Sequence, residues 1–282
     1  MSLWYDLLEL LGTEMLQWNF MKNALLAVLL MAPLFGLCST MVVTGRMSFF
    51  SDALGHSAFT GIAIGALCGI GDPTWVSVLF AVFFAVLFSV VRSRGNQTAD
   101  TVIGVFSSTA VALGIFIATL GGESFTKFNR YLIGDILSIT PGQIGMLALT
   151  LLAVAVFWVL CANRLTLASI HPQLASSRGI NVALIQGLFT VLIAVVVTLS
   201  ISWVGLLIIN SLLVLPGAGA RNIAKNTRQY HIFSILFAFV AALTGLVISY
   251  YLGASAGAAI SLILAVIYGI SLLLRKAGGA NG

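Results

Sequence analysis

The chain has 282 residues, of which 60% are hydrophobic and only 7% charged, and its mean hydropathy is +1.11. A soluble domain of ordinary composition carries roughly 25% charged residues, so a water-soluble globular protein is excluded and an integral, all-α membrane protein is expected. The formal charge of +5 then reads as membrane topology, with lipid as the expected surroundings and no nucleic-acid partner.

The opening MSLWYDLLELLGTEM carries Asp6, Glu9 and Glu14 and no basic residue. That is the reverse of a signal peptide's basic start, so residues 1–17 are expected to stay as an amphipathic lead-in at the interface. Apolar runs then predict spans over 18–44, 52–70, 74–91, 100–120, 142–162, 181–200, 203–220, 230–252 and 255–274. A span needs about 20 apolar residues, so the chain holds eight or nine crossings, nine unless one weak run is re-entrant. With nine, ten basic residues fall on one side (Arg46, Arg92, Arg94, Arg164, Arg178, Arg221, Lys225, Arg228, Arg275 and Lys276), leaving Lys22, Lys127 and Arg130 for the other. The bias places the C-terminus in the cytoplasm. No low-complexity linker divides the chain, so residues 1–282 are taken as one domain.

Two connections are long. Gly121 to Pro141 is expected outside, folding back as a short interfacial helix. Residues 163–181, NRLTLASIHPQLASSRGIN, are expected in the cytoplasm, with Pro172 in the first turn of a short helix and Gly179 ending it. Such a helix is either a docking surface or an ordinary capped turn. The three cysteines, Cys38, Cys68 and Cys161, lie in apolar runs without zinc-site spacing, which suits packing.

The residues able to carry chemistry concentrate in the second run, RMSFFSDALGHSAFTGIAIGALCGI, from Arg46 to Ile70. Asp52 and His56 are four apart and share a helix face. A carboxylate oxygen and an imidazole nitrogen so placed can hold one divalent metal together. Thr60 continues their stripe. Beside it runs a stripe of small residues, Ala53, Ser57, Gly61, Gly65 and Gly69, spaced for close helix approach. An acid in apolar surroundings marks a functional position, and of the eight acids in the chain only Asp52 has a histidine one turn away. The alternative is a Ser51–Asp52 helix cap. A helix starting at Ser51 leaves Asp52 at the rim, whereas one starting near Met47 puts it roughly 8 Å inside, and the apolar MSFF before Ser51 favours the deeper placement. Two ligands are an incomplete shell for zinc or manganese, and a dimer facing its second spans supplies two aspartates and two histidines. Binding needs ionised aspartate and neutral histidine, so transport is expected to weaken on mild acidification. No P-loop, G-x-S-x-G elbow or H-E-x-x-H helix occurs, so any ATP-driven motor is a separate polypeptide.

RMSFFSDALGHSAFTGIAIG resembles the second-span signature of the zinc/manganese/iron ABC importer permeases, the ABC-3 family. ADTVIGVFSSTAVALGI, YLIGDIL, the loop ending ASSRGIN and VGLLIINSLLVLPGAGARNIA resemble that family's blocks in the same order. The resemblance implies a type II importer-like permease fold in the cell (inner or cytoplasmic) membrane. It implies a homodimer or a pair of related permeases, two cytoplasmic ATP-binding subunits and an extracytoplasmic metal-binding protein. Asp52 and His56 match the family's acid–histidine pair in the translocation path, and the chain is expected to be a transport subunit, not an enzyme. Its metal (zinc or manganese, with iron in the same range) is cargo, not a permanent cofactor. Residues 163–181 match the family's coupling helix, with Pro172, Leu174, Ala175, Arg178 and Gly179 as contacts. The family's usual D-P-E is here His171-Pro172-Gln173, which removes the basis for a charged contact and leaves docking by shape. The rival readings are an ion-coupled carrier or channel without an ATPase, and an intramembrane hydrolase; the latter lacks a second catalytic acid inside the membrane.

Overall fold

A computed structural model of the chain describes residues 4–5, 14–94, 98–120 and 136–279. Among them every regular element is helical. The longer ones are α1 (Asn19–Thr44), α2 (Phe50–Leu67), α3 (Thr74–Arg94), α4 (Ala99–Leu120), α5 (Pro141–Ile170), the short α6 (Pro172–Ser177), α7 (Val182–Val204), α8 (Leu206–Ile223), α9 (Thr227–Leu252) and α10 (Ala256–Gly279). Each of the nine expected spans corresponds to one long helix. Eight of them are long and apolar enough to cross a membrane, and the chain is a multi-pass, all-α membrane protein. The exception is α2, in which Asp52, His56 and three hydroxyl residues dilute the apolar side chains. Its 18 residues still reach about 27 Å at 1.5 Å each, close to the ~30 Å of a hydrocarbon core.

Several boundaries differ from the sequence expectation, each for a local reason. α5 continues to Ile170, so the coupling segment taken as 163–181 begins as helix. Nothing in NRLTLASI breaks a helix, and the stop comes only at His171, because a following proline disfavours the α conformation. α2 spans Phe50–Leu67, starting after a turn at residues 45–49 and ending at Gly69, whose φ is +69°. Asp100 sits inside the first turn of α4, while the Thr98 hydroxyl accepts from Thr101 N at 3.4 Å. Cys68 is exposed just past α2 and is not packed; Cys38 is buried and Cys161 intermediate. Most of the lead-in, and the outer connection up to residue 135, lie outside the described residues. From the latter a short 3-10 turn, Ile136–Ser138, is described. Lys22, assigned to the outer side by charge counting, is 1% exposed, its ammonium 5.4 Å from the centre of the Tyr5 ring.

The residues cluster into two compact units, each discontinuous in sequence. One comprises Met1–Thr40, Gly134–Ala155 and Trp203–Gly282. In it α8, α9 and α10 pack on one another and on α1. Ser234 Oγ donates to Gly36 O at 2.7 Å, Gly217 N donates to Ser39 Oγ at 2.8 Å, and Tyr230 OH donates to Thr40 O at 3.1 Å. Side-chain to backbone bonds of this kind hold helices together where lipid offers no hydrophobic drive for association.

The other unit comprises Met41–Ile133 and Val156–Ser202 and is organised around α2. α3 lies so close on one side that a Cβ on Gly61 would fall 2.5 Å from Ser77 Cα, and one on Gly65 would fall 2.8 Å from Pro73 Cβ. Ser77 Oγ donates to Ala58 O at 2.8 Å across the same contact. On the other side α4 approaches through Gly114, where a Cβ would meet the Phe59 ring at 2.4 Å. Thr60 Oγ1 lies 2.7 Å from Ala110 O. Phe50 stacks on Phe88 at 4.5 Å, and Phe88 meets Phe106 edge-on at 5.6 Å, tying the start of α2 to α3 and α4.

A methyl group at Gly61 meets backbone, which cannot swing aside, so Gly61→Ala is expected to destabilise the protein by about 1–3 kcal/mol. Gly104 has nothing within 4 Å of its added Cβ, so Gly104→Ala is expected to be neutral or stabilising by up to about 1 kcal/mol. Thermal unfolding of both variants in the same detergent checks the pair; equal melting temperatures would contradict the close approach.

Candidate functional site

Burial on α2 is lopsided. From Phe50 to Gly65 every residue is buried except Asp52, His56, Phe59 and Ile64. The first three fall at i, i+4 and i+7, a single narrow strip. Asp52 Oδ2 lies 3.4 Å from His56 Nε2, with side-chain exposures of 45% and 28% respectively. The helix begins at Phe50, with Phe49 as the N-cap residue and no side-chain cap bond from it. The helix start therefore takes the shallower placement and not the deeper one that MSFF favoured, because residues 45–49 form a turn: Asp52 is in the first turn, where a carboxylate gains from the helix dipole, and His56 is one turn deeper.

The separation is chemically informative. At 3.4 Å the two atoms are beyond a good hydrogen bond of about 2.7–3.2 Å. They match the edge of a tetrahedral metal shell, which is about 3.4 Å for bonds of about 2.1 Å. One oxygen and one nitrogen then supply two corners. Among the described residues no group of three or more His, Cys, Asp or Glu side chains is placed to hold a metal, so no third side chain of these types joins the pair there.

The neighbouring stripe serves packing. Ser57 is fully buried and donates to Leu54 O at 2.8 Å, and Gly61 and Gly65 admit α3. Gly69 was grouped with them by spacing, yet a Cβ added there would meet nothing within 4 Å; its positive φ ends α2. Thr60, placed on the ligand stripe by spacing, is fully buried and turned to Ala110, away from the open strip. The other histidines are remote in role. His231 Nδ1 is 2.9 Å from Thr40 Oγ1, and His171 is the N-cap residue of α6. Asp72 accepts from Thr74 N at 3.0 Å, and hydrogen bonding by the Thr74 side chain, then its backbone, holds its carboxyl below the usual range.

The coupling segment forms as its turn residues dictate. Pro172 occupies the first turn of α6 and Arg178 its C-cap; Gly179 follows with φ +75°, and Ile180 N returns to Ala175 O at 3.0 Å. Ala175 is fully buried and anchors the turn, while Leu174 is 44% and Ile170 52% exposed. Ile170, His171, Pro172, Gln173 and Leu174 line an open depression of about 480 Å³. Two features were not anticipated from the sequence. Gly114 carries the approach of α4, and an isolated glycine in an apolar run was its only sign. Arg92 Nη2 donates to Gly45 O at 3.1 Å and so fixes the turn leading into α2; no local pattern signals that bond.

Comparison with known proteins matches the chain along most of its length. The profile of the ABC 3 transport family (ABC-3) matches residues 17–275. The high-affinity zinc uptake system membrane protein ZnuB of Haemophilus influenzae is 27% identical over 235 residues, covering 83% of this chain and 90% of that protein. The manganese transport system membrane protein MntC of Listeria monocytogenes is 24% identical over 269 residues, 94% of each chain. Among solved structures, PsaBC from Streptococcus pneumoniae in complex with Fab superposes with a TM-score of 0.77 at 26% identity, covering 90% of this chain and 91% of that one.

Proposed function

The chain belongs to the ABC 3 transport family, and from that membership we propose that it is the membrane permease of an ATP-driven importer of a divalent transition metal, zinc or manganese, with ferrous iron within reach of the same donors. The whole chain, residues 1–282, acts as one permease domain in the cytoplasmic membrane. It pairs with a second copy or a related permease, with cytoplasmic ATP-binding subunits and with an extracytoplasmic metal-binding protein. ATP hydrolysis belongs to the separate subunit.

The observation that carries this reading is the Asp52–His56 pair, 3.4 Å apart on the strip of α2 left open by α3 and α4. The pair takes the metal from water as two donors, and the facing permease or solvent completes the shell. A half-built shell holds an ion long enough to pass it on, which transport requires and storage does not. α6 receives the motion of the ATPase through the depression beside Leu174. Gly61 and Gly65 keep α2 tight on α3, so the pair moves with the helices as a body.

Asp52→Ala and His56→Ala are each expected to abolish metal uptake in cells lacking other importers, with the complex still assembled. Wild-type uptake in both variants would contradict the pathway assignment. At the coupling segment, Leu174→Asp is expected to lower co-purification of the ATP-binding subunit at least five-fold without changing the permease's own melting temperature. Undiminished co-purification would remove α6 from the contact.

A further inference from the structure

A second polar feature of the same unit belongs to neither the metal pair nor the outer face of α6. A cavity of about 370 Å³ is walled by the turn after α1, the ends of α3 and α5 and the starts of α4, α6 and α7, with Gly45, Arg46, Arg92, Ser169, Pro172 and Val182 in its lining. At about 30 Å³ per water it has room for about twelve water volumes, ample for a phosphate-bearing group. Among the described residues its ionisable lining is two arginines and no acid. Asp100, next in sequence to a lining alanine, is exposed and is not part of the wall. Among the described residues no carboxylate pairs with either guanidinium. One Arg92 nitrogen is engaged by Gly45 O, leaving the rest of its fork of donors. Arg46 is held with φ +53°, the one non-glycine residue at positive φ among those described. The starts of α4 and α7 add the positive ends of two helix dipoles.

We propose that this cavity binds the phosphate of an anionic phospholipid headgroup. Two arginines lining a cavity with no acid among its described residues call for an anion, and arginine suits phosphate because its planar donors match the oxygens. The cavity lies where helices end, the depth at which headgroups meet a membrane protein, and the basic bias of this side makes it the cytoplasmic leaflet. Basic pockets between membrane helices on that side take anionic headgroups. Val91, one residue from the lining Arg92, is 40% exposed and gives an acyl chain an apolar path beside the pocket that free phosphate does not need. A bound headgroup bridges the turn that leads into α2 and the first residue of α6, and so ties the segment before Asp52 to the coupling helix.

The test is native mass spectrometry of the full chain in detergent, incubated with phosphatidylglycerol or with phosphatidylcholine of matched chains. Phosphatidylglycerol is expected to be retained at least five-fold more than phosphatidylcholine. Arg46→Gln and Arg92→Gln are expected to cancel that preference, and millimolar inorganic phosphate to leave it intact. Equal retention of the two lipids, or an unchanged preference in both variants, overturns the proposal. Displacement by inorganic phosphate identifies free phosphate as the occupant and also overturns it. Arg92→Gln loosens the Gly45 turn as well, so Ser169→Glu, which places an acid in the cavity and leaves both arginines, must also lower the preference; if it does not, the site is not this cavity. No metal enters the measurement, so its failure leaves the metal assignment standing, and the reverse holds.

Discussion

The site depends on the close approach of α3 and α4 to α2. Lipid tails are as apolar as leucine, so helices in a membrane associate through tight packing and through hydrogen bonds between them. Gly61 and Gly65 let Ser77 and Pro73 of the α3 side reach the α2 backbone, and Gly114 does the same for α4. The bonds from Ser77 to Ala58 O and from Thr60 to Ala110 O satisfy hydroxyls that burial would otherwise penalise. With two sides sealed, α2 has one strip left open, and the acid and the imidazole are on it.

That arrangement answers an energetic difficulty. A carboxylate in apolar surroundings is costly unless something offsets the charge. Asp52 is in the first turn of its helix, so the unpaired amide groups there favour the anion, and His56 stands one turn further in. Cap-like position and ligand chemistry are thus compatible in one residue. Imidazole binds divalent metals when neutral, so as the proposed second donor His56 adds no charge to that of Asp52, which the helix start offsets.

Much of this was legible in the sequence. The nine helices followed from apolar runs separated by Gly, Pro and charged residues, and the i, i+4 spacing of Asp52 and His56 needed only helical periodicity. Pro172 and Gly179 announced α6 through φ constraints that any chain obeys. What was not legible depends on neighbours. Spacing alone grouped Gly69 with Gly61, although one ends the helix and the other admits another helix. Thr60 shares the stripe of the pair by periodicity, but a carbonyl from α4, fifty residues away in sequence, decides where its hydroxyl points. The end of α5 was misjudged by eight residues, from 162 to Ile170, because apolar character falls off before helical structure does and only Pro172 stops the helix.

The central claim is that Asp52 and His56 jointly replace part of an ion's water. It is tested most directly by anomalous scattering or cryo-EM density of the assembled transporter loaded with zinc or manganese. An ion peak at about 2.0–2.2 Å from both an Asp52 oxygen and a His56 nitrogen is the expected result. A bound ion elsewhere in the pathway, with this pair turned to lipid or sealed against protein, would contradict it.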